Sequence, residues 1–267
     1  MSTPLFLSPA LPSELLTYIL KYHTHPTTLV ICASRADFLS SVAKDIRQQE
    51  KATTPTLEDE QQPPSTAHRD HHEGEEPVLQ LKHHALLSSP LHQVATARHI
   101  RIVYVPTVTH LQAYLSVFTP DDSKVPAPPS HHRQTPSTSR NPHIILYGFL
   151  DLHRATSEWS AQGLGSSAAA VVDLAHRLAW QALVVEPRTG GGVGAANVQP
   201  RLEDVLRETV PMLGGGARRA ALDADGGGAW TGRTVEVGRI LRRWFRLQRG
   251  VWDGDGDPEE AGGVGKV

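Results

Sequence analysis

The chain has little of what usually announces a chemistry. It carries one cysteine, Cys32, in 267 residues. That excludes an internal disulfide framework and a multi-cysteine zinc site, and it fits a reducing compartment. No apolar run approaches the roughly 18 residues of a membrane span, so no membrane partner is expected. No basic stretch opens the N-terminus, so no secretory signal is expected. Neither sign of charge dominates: 26 Lys and Arg face 28 Asp and Glu, a net charge of −2. This argues against a chain that coats nucleic acid over its whole surface, but leaves room for a local basic patch. Apolar residues are sparse at 39%, while Gly (22) and Pro (20) are plentiful. The balance is that of a folded core diluted by loops, at a length that suits one α/β domain.

The dilution is localised. Residues 50–77 hold eight acids, two bases and almost nothing apolar. Such a segment cannot bury enough surface to offset its ordering entropy and is expected to be disordered. Residues 120–142 are rich in Pro, Ser and Thr, 189–200 and 214–228 carry glycine runs, and the tail 253–267 is acidic and glycine-rich. Residues 1–252 are read as a single domain with these four flexible inserts, and 253–267 as a disordered tail. No internal repeat is present.

What remains alternates between helix and strand. Leu11–Tyr22 has helical spacing with Ser13 as its cap. Thr27–Ala33 is a continuous β-branched run, as in a strand buried on both faces. Arg35–Gln48 is an amphipathic helix, Val78–Ala97 is helical in part, and His99–Pro106 is the next strand. Thr109–Phe118 (helix), His143–Leu150 (strand), Gly165–Gln181 (helix) and Ala182–Glu186 (strand) follow, and Thr234–Leu247 closes the core as one or two strands. This pattern predicts an α/β fold with a mainly parallel sheet flanked by helices.

The order of these pieces resembles the core of RecA-like recombinases and their eukaryotic paralogs. The likeness rests on His99-Ile-Arg-Ile-Val-Tyr-Val-Pro leading into Thr109-His-Leu-Gln-Ala-Tyr-Leu. It continues with Ile144-Ile-Leu-Tyr-Gly at the Walker B strand, then Ser157-Glu-Trp-Ser-Ala-Gln-Gly-Leu before the long helix. It spans roughly residues 27–187.

The sequence departs from that family where ATP would be held. No G-x-x-x-x-G-K-[ST] occurs, and neither Gly163-Leu-Gly-Ser-Ser nor Gly190-Gly-Gly-Val-Gly places Lys before a hydroxyl. A phosphate loop needs that Lys on the terminal phosphates and the hydroxyl on Mg²⁺. The Walker B acid would fall near Tyr147 or Gly148, and Asp151 comes late. The stretch ahead of Thr27 reads as too short for a complete nucleotide-binding strand, loop and helix. The resemblance therefore implies a degenerate member without ATP turnover and without a cofactor. Its partners would be other RecA-like paralog subunits, with DNA as an additional ligand, as in recombination-mediator assemblies of the Shu-complex type; the compartment implied is the nucleus. An alternative setting is the ATPase-like ring of Elongator, which contacts tRNA and implies the cytoplasm. A third class is a small-molecule α/β enzyme of unknown substrate, using a crevice near Ser34 and Asp151.

The strongest local signal is Arg233–Arg249, where six Arg face one acid, Glu236. Arg binds phosphates through its planar fork, and an interleaved aromatic can stack on a base. Arg239, Arg242, Arg243, Trp244, Arg246 and Arg249 are therefore the candidate nucleic-acid or partner contacts. On a strand, Arg242 and Arg246 would share a face with Trp244, and Arg243 would lie with Phe245, which splits the patch. The fifteen His do not assemble a metal site: His71-His72, His83-His84 and His131-His132 are adjacent pairs whose side chains would point apart on a strand. Cys32 reads as a small core hydrophobe. No G-x-S-x-G occurs; Ser34, Asp37 and His23 lie close in sequence, and Ser34 reads as the cap of the helix starting at Arg35.

Overall fold

The β-branched runs become the interior of a parallel sheet. The computed structural model describes residues 3–22, 25–53, 84–122, 125–127, 142–188, 201–213 and 233–253. The first half of the chain gives β1 (Leu5–Ala10), α1 (Pro12–Tyr22), β2 (Thr27–Ile31), α2 (Arg35–Thr53), α3 (Ala85–Ser88), α4 (Leu91–Ala97), β3 (Ile100–Tyr104) and α5 (Val108–Val117). The second half gives β4 (His143–Tyr147), α6 (Phe149–Arg154), α7 (Ala161–Leu178), β5 (Gln181–Pro187), α8 (Leu202–Arg207), β6 (Thr209–Pro211), β7 (Thr234–Glu236), α9 (Val237–Leu241) and β8 (Arg246–Gln248).

Six strands pair in the order β3-β2-β4-β5-β1-β8, all parallel. β6 and β7 form a separate antiparallel pair. The α/β class is as expected. Connections out of β1 and β2 run toward the β3 edge, and those out of β3, β4 and β5 run back toward β8. Right-handed crossovers then put the helices of the two directions on opposite faces. The core divides accordingly. Leu29, Ile31, Ile145, Leu183 and Val185 pack with Leu15 and Ile19 of α1 and Phe38 of α2. Their strand neighbours Val30, Ile144, Ala182 and Val184 pack with α5, α7, α8 and α9 through Leu111, Val171, Val205 and Leu241. Alternation with period two thus feeds two cores from the same strands.

Several boundaries differ from expectation. A strand and a helix do precede Thr27: β1 is there, and one residue, Leu11, separates it from α1. The stretch ahead of Thr27 thus holds a strand and a helix joined by a one-residue connection. The strand expected over His143–Leu150 is β4 and ends at Tyr147, because Gly148 turns the chain at φ +85° and α6 follows; glycine has no Cβ to oppose that conformation. α2 runs four residues into the acidic stretch that begins at Glu50. The segment Thr234–Leu247 is two short strands with helix α9 between them, seated against α8. A Cβ on Gly238 would lie 2.9 Å from the Leu206 carbonyl oxygen, so the close approach requires glycine. Asp253, the first residue of the expected tail, is ordered in a turn over Val251–Asp253. Residues 54–77, most of 120–142, and 189–200, 214–228 and 254–267 lie outside the described residues. Among the described residues no helix is long and apolar enough to cross a membrane.

Candidate nucleic-acid interface

The basic stretch lies at one edge of the sheet. Arg239 is in the last turn of α9, and Arg242 and Arg243 follow in a helical turn whose N–H groups bond back to Gly238 and Ile240. Trp244 and Phe245 both bond back to the Leu241 carbonyl. Arg246 opens β8 by donating its N–H to the Pro4 carbonyl (2.9 Å), which hangs the strand on β1. Arg249 follows β8. The turn removes the split that a strand would impose. Arg233, Arg239, Arg242, Arg243, Arg246 and Arg249 are all exposed, while Phe245 is buried beside Phe6 and Trp244 is half-buried on the same core. None of the six Arg is in an ion pair among the described residues. Trp244 therefore anchors the patch and is not a free stacking platform.

The carboxyl end of β1, where an α/β sheet would present a helix N-terminus to an anion, is filled by the protein itself. Pro12 opens α1 and has no N–H to offer. The Leu11 N–H donates to Glu14 Oε2 (2.8 Å) and the Ser13 N–H to Asp45 Oδ2 (3.0 Å). Two carboxylates thus occupy the anion position. Burial pushes the Glu14 carboxyl up, against the pull of the Leu11 N–H and of Arg188. Arg188 pairs with Glu14 (3.2 Å) and Asp253 (3.4 Å) and donates to the Pro9 carbonyl. Trp252 Nε1 donates to the same carbonyl (3.0 Å), and the Gly250 N–H donates to Ser8 Oγ (2.8 Å). The C-terminal turn lies over the end of β1. Sequence reasoning missed Glu14, Asp45 and Arg188 as a group. Only Asp45, a charge on the buried side of an amphipathic helix, could have flagged it.

The outgoing connections of β2 and β4 diverge, which is where an open α/β sheet places a ligand crevice. Its polar residues are engaged with one another. Ser34 Oγ donates to Asp37 Oδ2 (2.6 Å) and accepts the Asp37 N–H (3.1 Å), the helix cap read from the sequence. Cys32 is buried, and burial followed by the Glu186 charge pushes its thiol well up. The fully buried Glu186, at the end of β5, accepts the N–H groups of Leu150 (2.9 Å) and Asp151 (3.4 Å). Burial, then Asp151, pushes its carboxyl up to about 8. Asp151 is ion-paired with Arg154, which also grips Glu208 through two nitrogens (2.6 and 3.2 Å). His153 is buried: Nδ1–H donates to the Phe149 carbonyl (2.7 Å), leaving Nε2 to accept from Ser167 Oγ (2.9 Å). Burial holds the His153 pKa below its ordinary value. These groups brace α6 and α7, which leaves the enzyme reading without a free nucleophile or base among them. His23 lies outside the described residues, as do His68, His71, His72, His83, His131 and His132. Among the described residues no group of three or more His, Cys, Asp or Glu could hold a metal ion.

Comparison with known proteins adds no relative: no protein-family model, no curated protein and no solved structure matches the chain.

Proposed function

We propose that this chain is a non-catalytic RecA-like subunit of a hetero-oligomeric DNA-repair complex acting in homologous recombination, and that its β8 edge grips nucleic-acid backbone. The observation that carries the reading is the Arg edge itself: six exposed guanidinium groups on one short stretch, without ion-pair partners among the described residues. Unpaired Arg at a surface is suited to phosphates, which it binds in a bidentate fork. Because Trp244 is half-buried and Phe245 buried, the patch favours phosphate contact over base stacking, and hence binding of low sequence preference.

The closed β1 end supports the non-catalytic part. A RecA-like reading calls for a strand, a phosphate loop and a helix ahead of Thr27. β1 and α1 supply the first and last, a single Leu11 stands in for the loop, and Glu14 and Asp45 hold the α1 N–H groups. Carboxylates there repel a triphosphate. The partners in this reading are other RecA-like paralog subunits, and the compartment is the nucleus.

The test is a salt titration of DNA binding by the full chain and by Arg242→Ala/Arg243→Ala. Two lost phosphate contacts should lower affinity and flatten the log–log salt slope by about two. An unchanged slope rules the patch out. Proteins that co-purify with the native chain separate the settings: recombinase paralogs support this reading, and acetyltransferase-complex subunits would move it to tRNA and the Elongator ring.

A further inference from the structure

The opposite edge of the sheet is unfinished in a different way. β3 pairs only with β2, so its outer N–H and C=O groups have no strand partner among the described residues. Natural sheets guard such an edge with Lys, Pro, a bulge or a very short strand. β3 is five residues, Ile-Arg-Ile-Val-Tyr, in uninterrupted register with β2, and Ile102 at its centre is 46% exposed. Leu39 on α2 is 48% exposed. Asp45 and Gln49 of α2 reach Ser13 on α1, and Leu39 lies roughly 120° round the helix from Asp45 at 100° per residue. The buried Phe38 and Ile46 lie on the arc between them, and Phe38 meets Tyr104 of β3, so Leu39 is on the flank turned away from α1, on the β3 side. Exposed apolar side chains beside unpaired backbone suit an added strand.

The other face of β3 supplies charge. The Arg101 guanidinium lies over the rings of Tyr114 (5.8 Å) and Phe118 (5.7 Å). Its Nη1 and the Tyr114 hydroxyl are both covered and have no hydrogen-bond partner among the described residues. Arg101 has no ion-pair partner among the described residues. Burial, despite the nearby Arg101 charge, pushes the Tyr114 hydroxyl up to about 12, so it stays a donor. Two donors without an acceptor among the described residues, beside an open strand edge, match an incoming carboxylate.

We infer that the β3 edge is a protein-docking edge that takes an extended segment of a partner chain, with an apolar side chain over Ile102 and Leu39 and an Asp or Glu reaching Arg101 and Tyr114. A second copy fits worse. Two β3 strands paired about a two-fold axis would bring two uncompensated Arg101 guanidinium groups onto one face of the joined sheet. The inference rests on β3 and does not depend on the nucleic-acid reading.

The experiment uses the full chain and two synthetic heptapeptides, one alternating Val and Glu and one alternating Val and Gln. The Glu peptide should bind about tenfold tighter than the Gln peptide, a charge-assisted pair against a neutral one. It should also slow amide exchange over residues 100–104. Arg101→Gln, checked for an unchanged fold by circular dichroism, should erase the preference, and Tyr114→Phe should reduce it. Equal binding of both peptides, binding of neither, or a preference that survives Arg101→Gln overturns the inference. So does self-association of the free chain that Ile102→Lys abolishes, because the edge then belongs to a second copy.

Discussion

The two ends of the sheet solve the edge problem in opposite ways. β8 is three residues long, begins with an exposed Arg, and is followed by a turn of chain that folds over β1. The apolar side chains at this edge point inward: Phe245, just before β8, is buried beside Phe6, and Leu247 packs on the same core. β3 is longer, carries an exposed apolar side chain, Ile102, at its centre, and holds its one charge, Arg101, half-covered by aromatic rings. The first arrangement repels another strand and attracts anions. The second invites a strand and filters it by charge. An edge is thus defined less by its hydrogen bonds than by which side chains its flanking elements leave uncovered.

The sharpest way to break the comparison is through stability. Phe245→Ala empties a buried site that holds the basic edge to β1, and should cost about 3–5 kcal/mol. Ile102→Ala, at a half-exposed site on the opposite edge, should cost less than about 1 kcal/mol. Urea denaturation of both variants measures the difference. Equal losses would mean that Ile102 is covered in solution and that β3 is not an open edge.

Charge reversal comes next. Arg242→Glu with Arg243→Glu should weaken DNA binding on the order of a hundredfold at moderate salt. Arg101→Glu should change it less than about twofold. Five strand spacings of about 4.8 Å separate the edges, well beyond the screening length of about 10 Å. Comparable losses from both would mean that the nucleic acid wraps the sheet and that the two edges are one surface.

The sequence made some of this legible. β2, β4 and β5 are buried on both faces and read as strands from their apolar runs alone. β1 did not, because Ser8 and Pro9 interrupt the pattern. Their polar groups are satisfied by Gly250, Arg188 and Trp252, residues about 180 to 240 positions away, which no local window can see. The segment 237–245 misled for a related reason. Its β-branched residues favour a strand, but contact with α8 through Gly238 selects a helix, and tertiary packing overrides propensity. The Arg of the basic patch could be counted in advance. Their common exposure could not, since it depends on the turn at Arg242–Trp244. Arg101 gave no signal beyond being one charge in an apolar strand.

The smallest effect concerns the middle of the sheet. Glu186 sits on β5, between the two edges, and its folded-state carboxyl titrates at about 8 against an ordinary 4.5. Its contribution is therefore complete below about pH 4.5 and is lost as pH rises through about 8, because the unfolded chain releases the proton first. The slope in that window is at most on the order of 1 kcal/mol per pH unit. Glu14 and Asp151 are shifted in the same direction, so the difference between the wild type and Glu186→Gln isolates Glu186. Gln keeps an oxygen for the Leu150 N–H and should flatten the pH dependence of the urea midpoint between pH 5 and 8. DNA affinity at constant salt should stay level over the same range, because the Arg edge keeps its charge. Affinity that fell in step with stability would show that the basic edge depends on the protonation of the sheet centre, and that the two edges are not independent of what lies between them.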